Sequence, residues 1–364
     1  MNTTTVGVDL AKYLFAVCLV DSHGRVQLRR EFRRDGFAAW LAQLPEGTMV
    51  AMEACSGAHH WARRCRELGL QPRLIAAQFV TPFRKSQRSK NDRNDAEAIA
   101  TAARQGNMRF VAIKTVDQQT RLSWHRVREG YKDENLKVMN RIRGLLAEFG
   151  FVIAKSPIAL RRALAEILER QDLPREFVEL LQDLREHWQQ IQTRQRHCDR
   201  RIETHAQADV RCVRIRAQMG VGALTSDAVV ASVGDGRNFR HGRQMAAWVG
   251  LVPRQHSSGG HQRLGPISCS GDAYLRTLLI QGARSSVQAA NRVPIEKATP
   301  EQIWIRQLAT RLPLGKLLVA IANKHARQIW AMLARGEAYD PNAWLRHPMV
   351  QRKASRKNTV AAAA

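Results

Sequence analysis

Two acidic residues stand three positions apart in the stretch KNDRNDAEAIA, at Asp92 and Asp95. A helix is predicted to begin here with Asn91 or Asp92 as its N-cap, which places the two carboxylates on one helix face. Four basic residues closely precede them: Arg84, Lys85, Arg88 and Lys90. Acids in this position either stabilise the positive end of a helix or bind a divalent cation.

Two further acids lie in apolar segments that are predicted to be strands. Asp9 interrupts the run VGVDLAK, and Glu53 ends the run MVAME. An unpaired carboxylate in an apolar strand is costly, which favours a functional role for Asp9. If the helix packs on a sheet that contains both strands, four carboxylates converge. The repulsion between these carboxylates requires positive charge, which two Mg²⁺ ions, or two Mn²⁺ ions, would supply. Two such ions can also bind the attacking and leaving oxygens of a phosphodiester.

The periodicity around these acids predicts an α/β sheet. Residues 4–20 form a β-rich run, GRVQLRREF is its partner strand in a hairpin, and GTMVAME and PRLIAAQFV are further strands. Helices are predicted over 37–44, over 59–68 and from residue 91 or 92 onward. Such alternation of strands with helices is typical of α/β domains.

From Val116 to about Gln207 glycine almost disappears and charged residues alternate with leucines, which predicts long helices. An apolar heptad continues for about four repeats, with Gln195 at its one polar position. Its apolar members are Phe177, Leu181, Leu184, Trp188, Ile191, Cys198 and Ile202. The pattern suits either a coiled coil or the inner face of a helical bundle. Pro157 and Pro174 favour an antiparallel hairpin or a dimerising arm over a single rod.

Glycine returns after Val210, and the remaining segment is predicted to be mainly helical. MGVGALTSDAVVASVG resembles a helix-hairpin-helix turn whose amides can approach phosphates, and RQHSSGGHQRLG is a loop. Helices are predicted over 273–285 and 310–334. The chain is thus expected to divide into residues 1–112, 113–207 and 208–340, with a disordered tail over 341–364.

The charge of the chain indicates a polyanionic partner. The 364 residues include 58 Lys and Arg against 32 Asp and Glu, which gives a formal charge of +26 and a pI near 11.0. The surplus is distributed along the chain, as expected of a nucleic-acid-binding protein. Six cysteines without a C-x-x-C pair predict neither a zinc knuckle nor a disulfide framework. A cytoplasmic protein without membrane spans is the expectation.

Several of these stretches together resemble one protein family. VGVDLAK, MEACSGAHHWAR and KNDRNDAEAIA, followed by MRFV, HRVR and RIRGLLAEFG, are similar to the DEDD transposases, the insertion-sequence recombinases described as bridge-RNA-guided. The later block FRHGRQMAAWVGLVPRQHSSGGHQRLGPIS resembles the C-terminal transposase domain of that family. The resemblance extends from about residue 5 to residue 335.

The resemblance implies a RuvC-like N-terminal domain of the ribonuclease H type. Its four catalytic, Mg²⁺-binding acids correspond to Asp9, Glu53, Asp92 and Asp95. The family also uses a serine nucleophile, which maps onto Ser258 and forms a covalent phosphoserine intermediate that permits rejoining without ATP.

The serine assignment leaves two points open. Ser257 is the alternative nucleophile, and His256 or His261 is close enough in sequence to activate a serine hydroxyl. The resemblance implies instead that the serine meets the carboxylate-bound metal across a dimer interface held by the coiled coil.

The family implies donor and target DNA, a bridge RNA and further copies of the chain, as a homodimer or a dimer of dimers, as partners in the prokaryotic nucleoid. Basic residues expected to contact nucleic acid are Arg84, Lys85, Arg88, Lys90, Arg254 and Arg263. Two features depart from the family: Cys269 and Ser270 replace its usual Lys and Arg, and residues 131–138 are more acidic. A junction endonuclease that uses water, and a non-catalytic nucleic-acid-binding protein, are the alternative functions.

Overall fold

A computed structural model describes residues 4–84 and 92–342, and for residues 92 and 93 it describes the backbone alone. Lys85, Arg88 and Lys90 lie outside the described residues, as does the predicted disordered tail from residue 343 onward. The chain divides into two compact units, Met1–Val116 and Asp117–Ala364. The finer division into three domains and a tail stays a prediction.

The N-terminal unit is a mixed α/β structure built on one six-stranded sheet. Its strands are β1 Thr5–Leu10, β2 Leu14–Val20, β3 Val26–Arg33, β4 Met49–Glu53, β5 Gln71–Ile75 and β6 Phe110–Val111. Its helices are α1 Arg34–Leu41, α2 Ala58–Glu67, α3 Ala77–Val80 and α4 Asp92–Ala103. The strand order is β3-β2-β1-β4-β5-β6, in which β1–β4 and β4–β5 are parallel pairs and the other pairs are antiparallel.

The predicted α/β sheet is confirmed, but one strand prediction was wrong in detail. GRVQLRREF forms the predicted hairpin with the second half of the run 4–20. That run itself forms two antiparallel strands, β1 and β2. Exposed Lys12 and Tyr13 lie in the turn between them, where no core supports a continuous strand. The predicted strand over 72–80 ends at Ile75, because the following residues form α3. Short apolar runs do not distinguish a strand from a helix by periodicity.

Different helices cover the two faces of the sheet. Val6 and Val8 of β1 belong to the core cluster beneath α1 and α2. Successive strand residues point to opposite faces, so Gly7 and Asp9 point to the other side. There Ala96 of α4 packs on the sheet in a second cluster. The sheet therefore directs Asp9 toward α4.

The C-terminal unit is mostly helical, as predicted. Its helices are α5 Val116–Glu148, α6 Pro157–Ile167, α7 Arg175–Ala208, α8 Val210–Arg216, α9 Ala223–Val233, α10 Gly242–Val249, α11 Ala273–Arg292, α12 Pro300–Ala309 and α13 Leu314–Ala334. One hairpin interrupts them, formed by β7 Pro253–Gln255 and β8 Leu264–Ile267. In the described part of the chain, no helix has the length and apolarity needed to cross a membrane.

The heptad residues of α7 face α5 and α6 of the same chain. Leu181, Leu184 and Trp188 are buried in a cluster with Ile142 of α5 and Leu160 of α6. Helices α5 and α7 pack antiparallel. Trp188 Nε1 donates to Asn135 Oδ1 at 2.6 Å, and Arg128 Nε donates to Asp199 Oδ1 at 2.5 Å, so an earlier residue of α5 meets a later residue of α7. The heptad thus forms a helical hairpin within one chain, and a dimerising coiled coil stays a prediction.

A buried polar network fixes the start of α5 against α9 and α11. Arg121 Nε donates to Asp227 Oδ1 at 2.8 Å, and Arg121 Nη1 donates to Asp209 Oδ2 at 2.7 Å. His125 lies between Asp227 and Tyr274, with 2.9 Å from its ring nitrogens to a carboxylate oxygen and to the hydroxyl oxygen. Every member has a polar partner, which offsets the desolvation of a carboxylate that is fully buried.

Candidate active site

Asp9 and Glu53 lie side by side at the ends of two neighbouring parallel strands. Val8 of β1 pairs with Met52 of β4, so Asp9 and Glu53 are the next residues along the two strands. Both residues are half-buried. Neighbouring strands lie about 4.8 Å apart, so the two carboxylates share one environment on the α4 face of the sheet.

The helix α4 reaches this face because β1 has a glycine beneath it. A Cβ at Gly7 would lie 2.1 Å from the carbonyl oxygen of Ala96 and 2.6 Å from the backbone nitrogen of Ala100. Asp95 directly precedes Ala96, and its side chain is only 9% exposed. The close contact therefore holds Asp95 on the face that carries Asp9 and Glu53. Asp92 opens α4, but its side chain lies outside what is described.

Arg84 connects two of the three described acids. Its Nε lies 2.9 Å from Asp95 Oδ1, and its Nη2 lies 3.7 Å from Glu53 Oε2. Nε is not aligned for a hydrogen bond, so the contact with Asp95 is an ion pair. From the sequence, a metal ion was predicted to compensate the charge of the acids. In this structure the guanidinium partly compensates the charges of Glu53 and Asp95, and its contact with nucleic acid stays a prediction.

The thiol of Cys55 responds to the charge of this cluster. Burial raises the pKa of Cys55, and the negative charges of Glu53 and Asp9 raise it further. Its Sγ donates to the carbonyl oxygen of Leu10 at 3.9 Å, a sulfur hydrogen bond at the end of β1. The Cys55 thiol is therefore close to both Glu53 and Asp9, as expected if the strand register places these two acids side by side.

The donor atoms of this cluster suit a hard divalent cation. Carboxylate oxygens are the ligands that Mg²⁺ prefers, and the position of Arg84 indicates that the cluster requires positive charge. Within residues 4–84 and 92–342, no three His, Cys, Asp or Glu side chains are arranged to hold a metal ion. Asp9, Glu53 and Asp95 alone therefore do not form a closed ligand set, and the assignment of all four acids as metal ligands stays a prediction.

The predicted serine loop is the tip of the β7–β8 hairpin. Ser258 forms an isolated bridge with His261, beyond the paired strand residues. Gly259 and Gly260 turn the chain between them with φ angles of +55° and +78°, which favour glycine. The whole tip is exposed to solvent, so the serine hydroxyls are accessible to a large substrate.

The two candidate serines differ in their contacts. Ser257 Oγ accepts hydrogen bonds from Gln255 Nε2 at 3.0 Å and from the backbone N–H of Arg263 at 3.2 Å. Ser258 accepts a hydrogen bond from the His261 N–H through its carbonyl oxygen, at 3.0 Å. Among the described residues its hydroxyl has no hydrogen-bond partner. Ser257 Oγ is therefore engaged within the hairpin, and the choice between Ser258 and Ser257 as nucleophile stays a prediction.

The segment after β8 lies against the end of α10. A Cβ at Gly271 would lie 1.8 Å from the Trp248 carbonyl oxygen, and Cys269 has a φ of +53°. Arg254 Nη2 donates to the Ser268 carbonyl oxygen at 3.1 Å, which anchors the base of the hairpin. Cys269 and Ser270 are exposed. Arg254 and Arg263 are also exposed, and their nucleic-acid contacts stay predictions.

A mixed sheet in this order, with acids at adjacent strand ends and on the covering helix, is compatible with a DEDD nuclease-like domain. Residues 6–151 match the IS110 DEDD transposase family, and residues 212–298 match the transposase IS116/IS110/IS902 family. The chain belongs to this IS110/IS116/IS902 family of insertion-element transposases, which are DNA recombination enzymes. The family indicates a divalent metal cofactor.

Curated relatives agree with this assignment. The chain is 45% identical to a probable family 20 transposase of Pseudomonas aeruginosa, over 94% of this chain and 100% of the relative. It is 39% identical to the IS1111A transposase of Coxiella burnetii, over 92% and 90% of the two chains. It is 37% identical to the IS1328 transposase of Yersinia enterocolitica, over 93% and 99%. The resemblance inferred from the motifs is confirmed.

Sequence reasoning missed two residues that shape the site. It did not predict the ion pairs of Arg84 with Glu53 and Asp95, because pairing across the fold leaves no local pattern. It also overlooked Gly7, although an isolated glycine in a strand is a known signal of close backbone approach.

Proposed function

We propose that this transposase cuts and rejoins DNA through a phosphoserine intermediate on Ser258, with Mg²⁺ bound by Asp9, Glu53, Asp92 and Asp95. The observation that supports it best is the adjacency of Asp9 and Glu53 at parallel strand ends, with Asp95 held on the covering helix by the Gly7 contact. Capping and dipole roles do not account for acids on two strands.

Each group of the chain has a distinct task in this proposal. The acids hold the cation, and Arg84 partly compensates the charges of Glu53 and Asp95 when the cation is absent. Bound Mg²⁺ would stabilise the charge that develops on the phosphate and its leaving oxygen. The exposed hairpin delivers Ser258 to a DNA strand.

The serine step is a transesterification. The Ser258 Oγ–P bond forms as the phosphorus–oxygen bond to one deoxyribose breaks, and the electron pair leaves with that oxygen. The hydroxyl proton passes to a base, for which His256 and His261 in the same hairpin are candidates. Because one phosphoester replaces another, a DNA hydroxyl can reverse the step and rejoin strands without ATP.

We also propose that a structured bridge RNA supplies sequence recognition, while the protein contacts backbones. Family membership supports this part, and the formal charge of +26 suits a polyanion of either kind, RNA or DNA. The assembly is expected to be a homodimer or a dimer of dimers on DNA.

The test is to incubate purified protein with the RNA transcribed from the element's flank, donor DNA and target DNA, with and without Mg²⁺. A protein–DNA adduct that survives denaturation and disappears on protease treatment is the expected product. Ser258→Ala should abolish it while RNA binding is retained, and Ser257→Ala is the matched control that keeps it. Asp9→Asn and chelation should each suppress it.

Other outcomes select a different function. Free DNA ends without an adduct would indicate a junction endonuclease that uses water. Chelator-insensitive binding without cleavage would indicate a non-catalytic nucleic-acid-binding protein. An adduct that persists in Ser258→Ala would remove this serine from the mechanism.

A further inference from the structure

The first turn of α10 lies directly on α13. A Cβ at Gly242 would lie 2.9 Å from both the Cα and the carbonyl oxygen of Arg327, so only glycine permits this approach. Arg243 follows Gly242 in the chain, and Arg240 lies just before the helix, where its N–H donates to Gln244 Oε1 at 2.7 Å. The backbone contact therefore fixes arginines from two helices beside one another.

We call Arg240, Arg243 and Arg327 the arginine patch. All three residues are exposed. Among the residues that the structure describes, none of the three guanidinium groups has a hydrogen bond or an ion pair. Other arginines of this unit do have partners: Arg121 binds Asp227, and Arg211 binds Asp209. The patch is thus a concentration of positive charge without a carboxylate of its own.

The proximity of these cations has an energetic cost. Although Arg327 is exposed, the protein around it removes part of its hydration, which lowers its pKa, and the charge of Arg243 lowers the pKa further. The neighbouring Lys324 adds a fourth cation, but Glu301 compensates it at 3.6 Å. Folding therefore holds like charges together without an internal counterion. An external anion would remove this repulsion.

We propose that the arginine patch binds the phosphodiester backbone of a nucleic acid. This inference rests on the proposed function and assigns to the C-terminal unit a nucleic-acid contact outside the serine hairpin. Guanidinium groups suit the task because each can donate two parallel hydrogen bonds to phosphate oxygens. Two arginines on closely packed helices also bring two positive charges to one place before a phosphate binds. The contact is independent of base sequence, as phosphate contacts generally are.

The first test is the salt dependence of binding, measured by fluorescence anisotropy with a labelled DNA duplex and, separately, a labelled RNA hairpin. Arg243→Gln/Arg327→Gln should weaken binding and reduce the slope of log affinity against log salt by about 1.8 on duplex DNA, at about 0.9 per lost phosphate contact. Arg162→Gln is the control, matched in charge to Arg243→Gln alone. It removes one positive charge from an exposed arginine of α6 that has no partner among the described residues.

The second test uses the free protein. Because Arg243 and Arg327 repel each other, either Arg243→Gln or Arg327→Gln alone should raise the melting temperature at low salt. In the double variant the increase should be smaller than the sum of the two single increases. Added KCl should raise the melting temperature of the natural protein more than that of the double variant. This readout does not require nucleic acid or catalysis.

The outcomes are distinct from those of the serine experiment. A reduced slope with DNA, RNA or both supports the proposal and identifies which backbone the patch contacts. A double variant whose slope equals that of Arg162→Gln overturns it, even if the Ser258 adduct forms normally. Absence of the adduct together with a reduced slope would contradict the proposed chemistry and still support the proposed binding site.

If the double variant fails to fold, Arg243→Gln alone, at an exposed position in the first helical turn, gives the same comparison with half the change in slope.

Discussion

The Arg84 guanidinium lies 2.9 Å from the Asp95 carboxylate and 3.7 Å from that of Glu53, in the cluster that the sequence predicts to bind a metal. Arg84 is 30% exposed and Asp95 is 9% exposed, so water screens this pair only in part. An arginine in this position partly compensates the negative charge of the acids when no metal is bound. It must also compete with a divalent cation for the same oxygens.

Arg84→Gln should therefore increase the affinity for Mg²⁺, because the cation no longer has to displace a guanidinium. The same change should lower the free energy of unfolding without metal by about 1 kcal/mol, between the values of surface and buried pairs. Isothermal titration calorimetry with MgCl₂ measures the first effect, and urea denaturation in a chelator measures the second. Arg66→Gln, at an exposed position of α2, is the control. Equal Mg²⁺ affinity in the two variants would show that Arg84 does not compete with the metal.

Gly7→Ala should prevent α4 from seating on β1. The new Cβ would meet backbone atoms at 2.1 and 2.6 Å, which cannot move without shifting the helix that carries Asp95. We expect a loss of at least about 2 kcal/mol in the free energy of unfolding, together with loss of Mg²⁺ binding. Gly106→Ala is the control, since no atom lies within 4 Å of its added Cβ. A Gly7→Ala protein as stable as this control would contradict the close contact.

Leu181→Ala should test whether the heptad stabilises one chain or joins two. Leu181 is fully buried against the α5–α6 cluster, whereas the neighbouring Leu180 is 44% exposed. Leu181→Ala should lower the free energy of unfolding by about 2–5 kcal/mol and leave the oligomeric state unchanged, while Leu180→Ala should change stability by less than about 0.5 kcal/mol. Denaturation and native mass spectrometry provide the measurements. Dissociation of an oligomer at unchanged monomer stability would favour an intermolecular coiled coil.

His325 should make the C-terminal unit less stable in mild acid. Burial lowers the pKa of His325 to about 4, although Glu301 lies nearby. Between pH 6.5 and 4 the unfolded chain binds a proton at this position and the folded chain does not, so stability falls as the pH falls through this window. The loss approaches about 3 kcal/mol near pH 4. His325→Gln should remove this slope from pH-dependent melting curves, and His187→Gln, at an exposed position of α7, should retain it.

Local patterns accounted for a large part of the fold. The helix over α4, the helical segments after Val116 and the α/β character around Asp9 and Glu53 were all predicted from residue spacing. The division of residues 4–20 into β1 and β2 was not, because the turn at Lys12 and Tyr13 has no glycine or proline to mark it. The heptad was correctly located, but its packing partner depends on the fold of α5 and α6.

By itself, the sequence determined the residue types from which a cation site and a serine loop are predicted, and the surplus of positive charge that suits a polyanion, since residue type and charge are local properties. Only the tertiary structure decided that Arg84 pairs with Glu53 and Asp95, that Ser257 rather than Ser258 is engaged in the hairpin, and that Arg243 lies beside Arg327. These relationships join residues distant in the chain or depend on the direction of one hydroxyl. Such contacts are set by strand register and close backbone packing, which no short stretch of sequence specifies.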